Sequence, residues 1–158
     1  MPTTGTTAAS FNWRAPFELL ASTTAKLVPL SLLLLVQRLG IAAVFFMSGR
    51  TKIAEGSWLT IDDGAFELFR TDYALPLIPA VPATYAATTA EHLFPILLVL
   101  GLFTRFAALG ILCMTAIIQL TVPDGWANFH LPWASMALAL LTFGAGRIAL
   151  DALIFRKP

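Results

Sequence analysis

Three charged side chains stand inside apolar runs of this sequence, Arg147 near the end of the last one and, at membrane depth, Arg38 within LLLLVQRLGIAAVFF and Glu91 within ATTAEHLFPILLVL. A charge in hydrocarbon costs at least about 2.5–3.5 kcal/mol on insertion scales, so each side chain needs a counter-charge, a polar cavity or water. At 1.5 Å per helical residue Arg38 lies about 13 Å, and Glu91 about 18 Å, from the same membrane boundary. The stem of Arg38 bridges that difference, and an Arg38–Glu91 pair is expected. Pro95 has no N–H, which frees the carbonyl of Glu91 four residues earlier. Thr84 and Thr88 share the helical face of Glu91, while Phe45, Gly49 and Lys52 continue the face of Arg38, giving a polar seam between two helices. Such a seam either fixes helix register and does no chemistry, or holds a small anionic or quinone-like headgroup or relays protons. His92 lies about 100° around the helix from Glu91. It is either a proton-relay group or an interhelical hydrogen-bond partner. The ligand or relay candidates are therefore Arg38, Glu91, His92, Lys52 and Thr88.

These residues have to be held by helices that live in lipid. Of 158 residues, 58% are hydrophobic and 12% charged, against roughly 45–50% and about 25% in soluble domains. Four runs have the length of about 17 to 25 residues that a bilayer demands, at about 29–47, 81–103, 106–122 and 131–150. The fold class is all-α: a transmembrane four-helix bundle, residues 29–151, with an N-terminal interfacial arm, residues 1–28, and a basic tail, residues 152–158. A weakly amphipathic stretch from Ala15 to Leu27 suits the membrane surface. Some thirty residues precede the first apolar run, so it reads as a retained span rather than a cleaved signal. Within the long loop, DDGAFELFRTDYALP predicts a short helix capped by Asp62 or Asp63, with Phe66, Phe69 and Tyr73 on one face to rest on the bundle. Arg14, Lys26, Arg105, Arg156 and Lys157 fall on one side, and Arg50, Lys52 and Arg70 on the other. That bias puts both termini in the cytoplasm of a multi-pass protein of the cell membrane.

The remaining chemistry is sparse. The net charge of +1 and the lack of a basic run exclude a nucleic-acid surface. Cys113 has no second thiol and reads as a small buried hydrophobe. Trp126, His130 and Trp133 suit an aromatic belt at the outer mouth, and two histidines at different depths make no metal site. Gln119 either extends the seam or bonds a neighbouring carbonyl. Ala107, Gly110, Ala134, Ala137, Gly144 and Ala145 allow close helix approach. No catalytic residue, nucleotide loop, CxxC or bis-histidine pair is present.

The order of several landmarks resembles the DoxX family of small four-span membrane proteins. They are Arg38, FMSGRTKI with Ser48, Gly49 and Lys52, Glu91, LLVLGLFTRFAAL with Gly101, Thr104 and Arg105, and GAGRIALD closing on Asp151. Ala149 departs from the pattern, which often has serine there. The resemblance implies structural roles for Gly49, Gly101, Arg105 and Asp151, beside the kink expected of Pro95. It also implies an accessory subunit of a membrane redox or metal- and thiol-stress system, with a membrane or soluble partner and a quinone as the cofactor to consider. Two alternatives stay open: a small-solute or modified-peptide exporter, which with four spans would need a homo-oligomer, and a ligand-free assembly anchor.

Overall fold

The structure, a computed structural model, describes residues 12–155. Residues 1–11 and 156–158 lie outside the described residues, and with them Arg156 and Lys157 of the expected basic tail. The chain divides into two units, residues 1–30 and 31–158. In the first, helix α1, Ala15–Leu27, starts with Pro16 in its opening turn, where the missing N–H is harmless, and has Glu18 in its first turn and Lys26 in its last; both charges favour the helix dipole. It buries none of its residues.

The second unit carries α2 (Leu30–Arg50), α3 (Asp63–Arg70), α4 (Ala80–Leu100), α5 (Thr104–Thr121), α6 (Leu131–Phe143) and α7 (Leu150–Ile154). The described residues are all-helical apart from loops and isolated bridges. Helices α2, α4 and α5 are long and apolar enough to cross a membrane. Each buries one stripe at helical spacing. On α2 it is Leu34, Arg38, Ile41, Ala42, Phe45 and Gly49; on α4 it is Ala83, Thr84, Thr88, Glu91, Pro95 and Leu98. The opposite faces expose Val36, Met47, Leu93, Val99 and Phe106. Polar groups inside and apolar groups outside invert the order of a water-soluble bundle, as lipid requires. Thr84 and Thr115 satisfy their buried hydroxyls on the carbonyls of Ala80 and Ile111, four residues earlier, at 2.8 Å each.

The fourth span departs from the expected 131–150. Helix α6 has 13 residues, about 20 Å, too short for a hydrocarbon core of about 30 Å. It is extended at its start by a 3-10 turn, Pro123–Gly125, and a π turn, Trp126–His130. It stops at Gly144, where φ is +77°, and Gly146 also has φ +77°. Both lie in the left-handed half of backbone space that glycine enters without penalty, so residues 144–149 leave the helix although their hydropathy would keep them in it. Arg147 is thus exposed outside any helix, its N–H donating to Ser31 Oγ at 3.1 Å. Gly146 packs on the Cα of Ser31 and on Leu34. Residues 146 and 147 therefore lie against the first turns of α2.

The loop helix forms as expected. Asp62 caps α3, its carboxylate accepting from Gly64 N at 2.8 Å, and α3 packs on α4 with Phe66 edge-on to Tyr85. Cys113 is exposed, contrary to the buried position expected. On a lipid-facing helix the outer positions are also apolar, so hydrophobicity alone does not say which way such a side chain faces.

Candidate functional site

The Arg38–Glu91 pair does not form. Gly49 fixes the register of α2 on α4. A Cβ there would stand 2.8 Å from His92 Cε1 and 3.0 Å from Glu91 Cβ, so only glycine lets the backbones come so close. Glu91 is thus level with the last turn of α2. Arg38 lies three turns away, roughly 16 Å along the helix, beside Gly101. Equal depth had been inferred by aligning the ends of the two apolar runs. In the structure α2 begins well beyond the end of α4, and residues 144–149 occupy the difference.

Two separate charge centres result. At one, Arg38, 1% exposed, donates from Nη1 to Leu98 O at 3.2 Å and from Nη2 to Ile148 O. Asp151 organises the turn between α4 and α5. Its two oxygens accept from Phe103 N at 2.7 Å and Thr104 N at 2.9 Å, and its own N–H donates to Gly101 O at 2.8 Å. It therefore caps the start of α5 from the far end of the chain. Gly101, with φ +64°, ends α4 in a left-handed turn. Its N–H donates to Leu98 O and that of Leu102 to Leu97 O. A side chain there would collide with Arg38 Nη1 and Ala149. Arg105 donates to Thr142 O at 3.0 Å and ties α5 to α6. Arg38, Gly101, Arg105 and Asp151 thus form a clamp of carbonyls, caps and charge.

At the other centre Lys52 Nζ stands 2.7 Å from Glu91 Oε2 and 3.0 Å from Oε1. Ser48 Oγ donates to Glu91 Oε1 at 3.1 Å. Lys52 follows the last turn of α2, and its stem folds back along that turn so that Nζ also reaches Ser48 O and Oγ, both at 3.3 Å. Glu91 is 4% exposed and Lys52 5%. The sequence placed Lys52 on the correct face but gave it no partner, because a residue past the helix end was not expected to reach inward. Ser48 is one of the FMSGRTKI landmark residues but had no role at the site in the sequence reading; its place one turn before Lys52 was the available signal.

His92 and Thr88 flank this centre without joining it. His92 Nδ1 lies 2.7 Å from Thr88 O, which assigns its proton to Nδ1. Its ring is edge-on to Phe46, while His92 Nε2 and Thr88 Oγ1 have no partner. Pro95 is buried on the same face, with α4 continuing through it. Farther along, His130 Nδ1 and Gln119 Oε1 lie 2.6 Å apart, and Gln119 Nε2 donates to Pro123 O at 3.3 Å, fastening the π turn to α5. Among the described residues no three His, Cys, Asp or Glu side chains gather as metal ligands.

A cavity of about 320 Å³ opens from the Ser48–Lys52–Glu91 group. Its walls are apolar: Ala83, Ala87 and Ala90 of α4 face Met114 and Ile118 of α5, Trp133 closes one side, and Phe69 and Tyr73 roof it from α3 and the loop that follows. Three convergent polar groups at the end of an apolar chamber are the usual form of a small-ligand site.

The family model DoxX matches residues 33–124. An uncharacterized protein of Haemophilus influenzae is 32% identical over 130 residues, covering 77% of this chain and 82% of that protein. No solved structure matches.

Proposed function

This chain belongs to the DoxX family and is a multi-pass membrane protein, and from that premise we propose that it is an accessory subunit of a membrane redox system tied to thiol or metal stress, whose cavity holds a quinone. The observation that carries the reading is the buried Lys52–Glu91 pair facing an apolar chamber. A salt bridge that only set helix register would be as well served by packed apolar neighbours, since desolvating two ions offsets most of their attraction. Here the pair borders empty space instead. Lys52 is a hydrogen-bond donor suited to a quinone carbonyl, Ser48 can turn its single O–H from Glu91 to the same carbonyl, and Glu91 is an acceptor suited to a quinol hydroxyl. A bound quinone would supply the electron chemistry, while the chain binds and orients its headgroup. Electrons come from a partner subunit. In this reading Arg14, Lys26 and Arg105 mark the cytoplasmic side of the cell membrane.

Titrating decylubiquinone into the purified protein in lipid nanodiscs, read by tryptophan quenching, tests the proposal. Wild type is expected to saturate. Ser48→Ala, losing one hydrogen bond, is expected to weaken binding about threefold to tenfold. Binding that neither Ser48→Ala nor Glu91→Gln alters would rule this cavity out as the site.

A further inference from the structure

The cavity's polarity runs in an unusual direction. Its charged groups, Lys52 and Glu91, lie with Ser48 at the deep end and are almost wholly buried. Tyr73 and Thr121 also line it, both half-buried, and the Thr121 hydroxyl donates to Ile118 O of its own helix. The exposed lining residues are all apolar: Ile78 at 47%, Ile117 at 43%, and Ala86. A chamber serving a charged or strongly polar solute needs charge or free hydrogen-bonding groups at its mouth, because the solute must be held as it leaves water. This mouth is apolar at every exposed position.

The position of the mouth follows from how α4 and α5 pack. Near their connecting turn the two helices are filled in. The Phe94 ring lies directly on Gly110 and is edge-on to Phe106, centroids 5.8 Å apart. Farther from the turn the facing stripes are Ala83, Ala86, Ala87 and Ala90 on α4, and Met114, Ile117, Ile118 and Thr121 on α5. Each recurs at i, i+3, i+4 and i+7, so each is one continuous helix face. Four alanines leave unfilled the width that larger side chains close at Phe94, and the gap so formed joins the cavity to the outer surface of two membrane-spanning helices. Toward the loop end the way is roofed by Phe69, 8% exposed on α3.

Resting on the quinone reading above, we infer that the ligand enters sideways from the bilayer, through a portal between α4 and α5, and stays bound with its headgroup on Ser48, Lys52 and Glu91 and its hydrocarbon tail lying along the alanine face into lipid. The substrate class is thereby narrowed to a membrane-dissolved quinone with an isoprenoid or alkyl tail. A tail in this gap exchanges lipid contacts for protein contacts of similar apolarity, so the portal provides selection by shape as much as affinity.

The test compares decylubiquinone with its tail-less dimethoxy-dimethylbenzoquinone headgroup, binding to wild type, Ala86→Phe and Ile117→Trp in nanodiscs. Ala86→Phe narrows the gap from its exposed rim on α4. Ile117→Trp narrows it from an exposed position on α5, where a larger ring does not disturb the core. Both variants are expected to weaken decylubiquinone by about tenfold or more, because a tail that no longer fits the narrowed gap keeps its headgroup from seating. Headgroup binding should stay within about threefold of wild type. Decylubiquinone binding unchanged in both variants, while still sensitive to Glu91→Gln, would overturn the lateral portal and leave the quinone site standing. Equal loss of both ligands would also overturn it, since the tail would then not be what the rim contacts. Failure of wild type to bind either ligand would overturn both readings together.

Discussion

Replacing Lys52 by methionine is expected to destabilise the protein by about 3–5 kcal/mol, because it leaves a buried carboxylate without its counter-charge. Glu91 is 4% exposed and would keep only the 3.1 Å hydrogen bond from Ser48 Oγ. The comparison that isolates this effect is the double variant Lys52→Met/Glu91→Met. It removes both charges, fills part of the space and should recover most of the lost stability, since a buried ion pair and a packed apolar pair of similar volume are often nearly equivalent. Thermal unfolding in lipid–detergent micelles measures both. A single variant as stable as wild type would mean that water reaches Glu91 and that the chamber is wet. The double variant also separates stability from function: it should fold and yet bind no quinone.

Removing Arg38 is expected to damage the fold but not the ligand site. Arg38→Met strips the donor from Ile148 O, costing about 1–3 kcal/mol when left unpaired in a low-dielectric interior, while Leu98 O keeps the bond from Gly101 N–H. It also releases residues 144–149 from α2 and α4, so limited proteolysis in micelles should gain a cleavage site there. Arg38→Lys should restore little, because an ammonium does not reproduce the planar fork that reaches two carbonyls on different elements. Decylubiquinone affinity, corrected for the folded fraction, should be unchanged, since the cavity lies roughly 16 Å away along α2. If Arg38→Met abolishes binding while the fold persists, the two charge centres act as one, contrary to the geometry.

What could be read from the sequence divides along the same line. The stripes of α2 and α4 were legible because a helix in lipid repeats its inner face every three or four residues, and Arg38, Glu91, Thr84 and Thr88 mark that face whatever the outer residues are. The cap at Asp62 and the α3 helix were legible for the same local reason. The partner of Arg38 was not. It is a main-chain carbonyl, Ile148 O, 110 residues away, on a segment whose hydropathy matches a membrane span and whose path is set by two glycines with positive φ. Depths measured from the ends of the two apolar runs put those ends of α2 and α4 in one plane and so paired Arg38 with Glu91. Lys52 escaped as Glu91's partner because position in a loop does not reveal that its side chain runs back along the last turn of α2. The cavity itself has no sequence signal beyond Ala83, Ala86, Ala87 and Ala90, and alanines at helical spacing more often mean close packing than a gap.

Photolabelling tests the central claim, that the Ser48–Lys52–Glu91 chamber is a quinone site, most directly. An azidoquinone is irradiated with the protein in its native membrane and the adducts are mapped by mass spectrometry. The account predicts labels within residues 83–91 and 114–121, suppressed by excess decylubiquinone and absent from the Lys52→Met/Glu91→Met variant. Labels confined to the neighbourhood of Arg38 and Ile148, or labelling of residues 83–91 that persists undiminished in that variant, would contradict it.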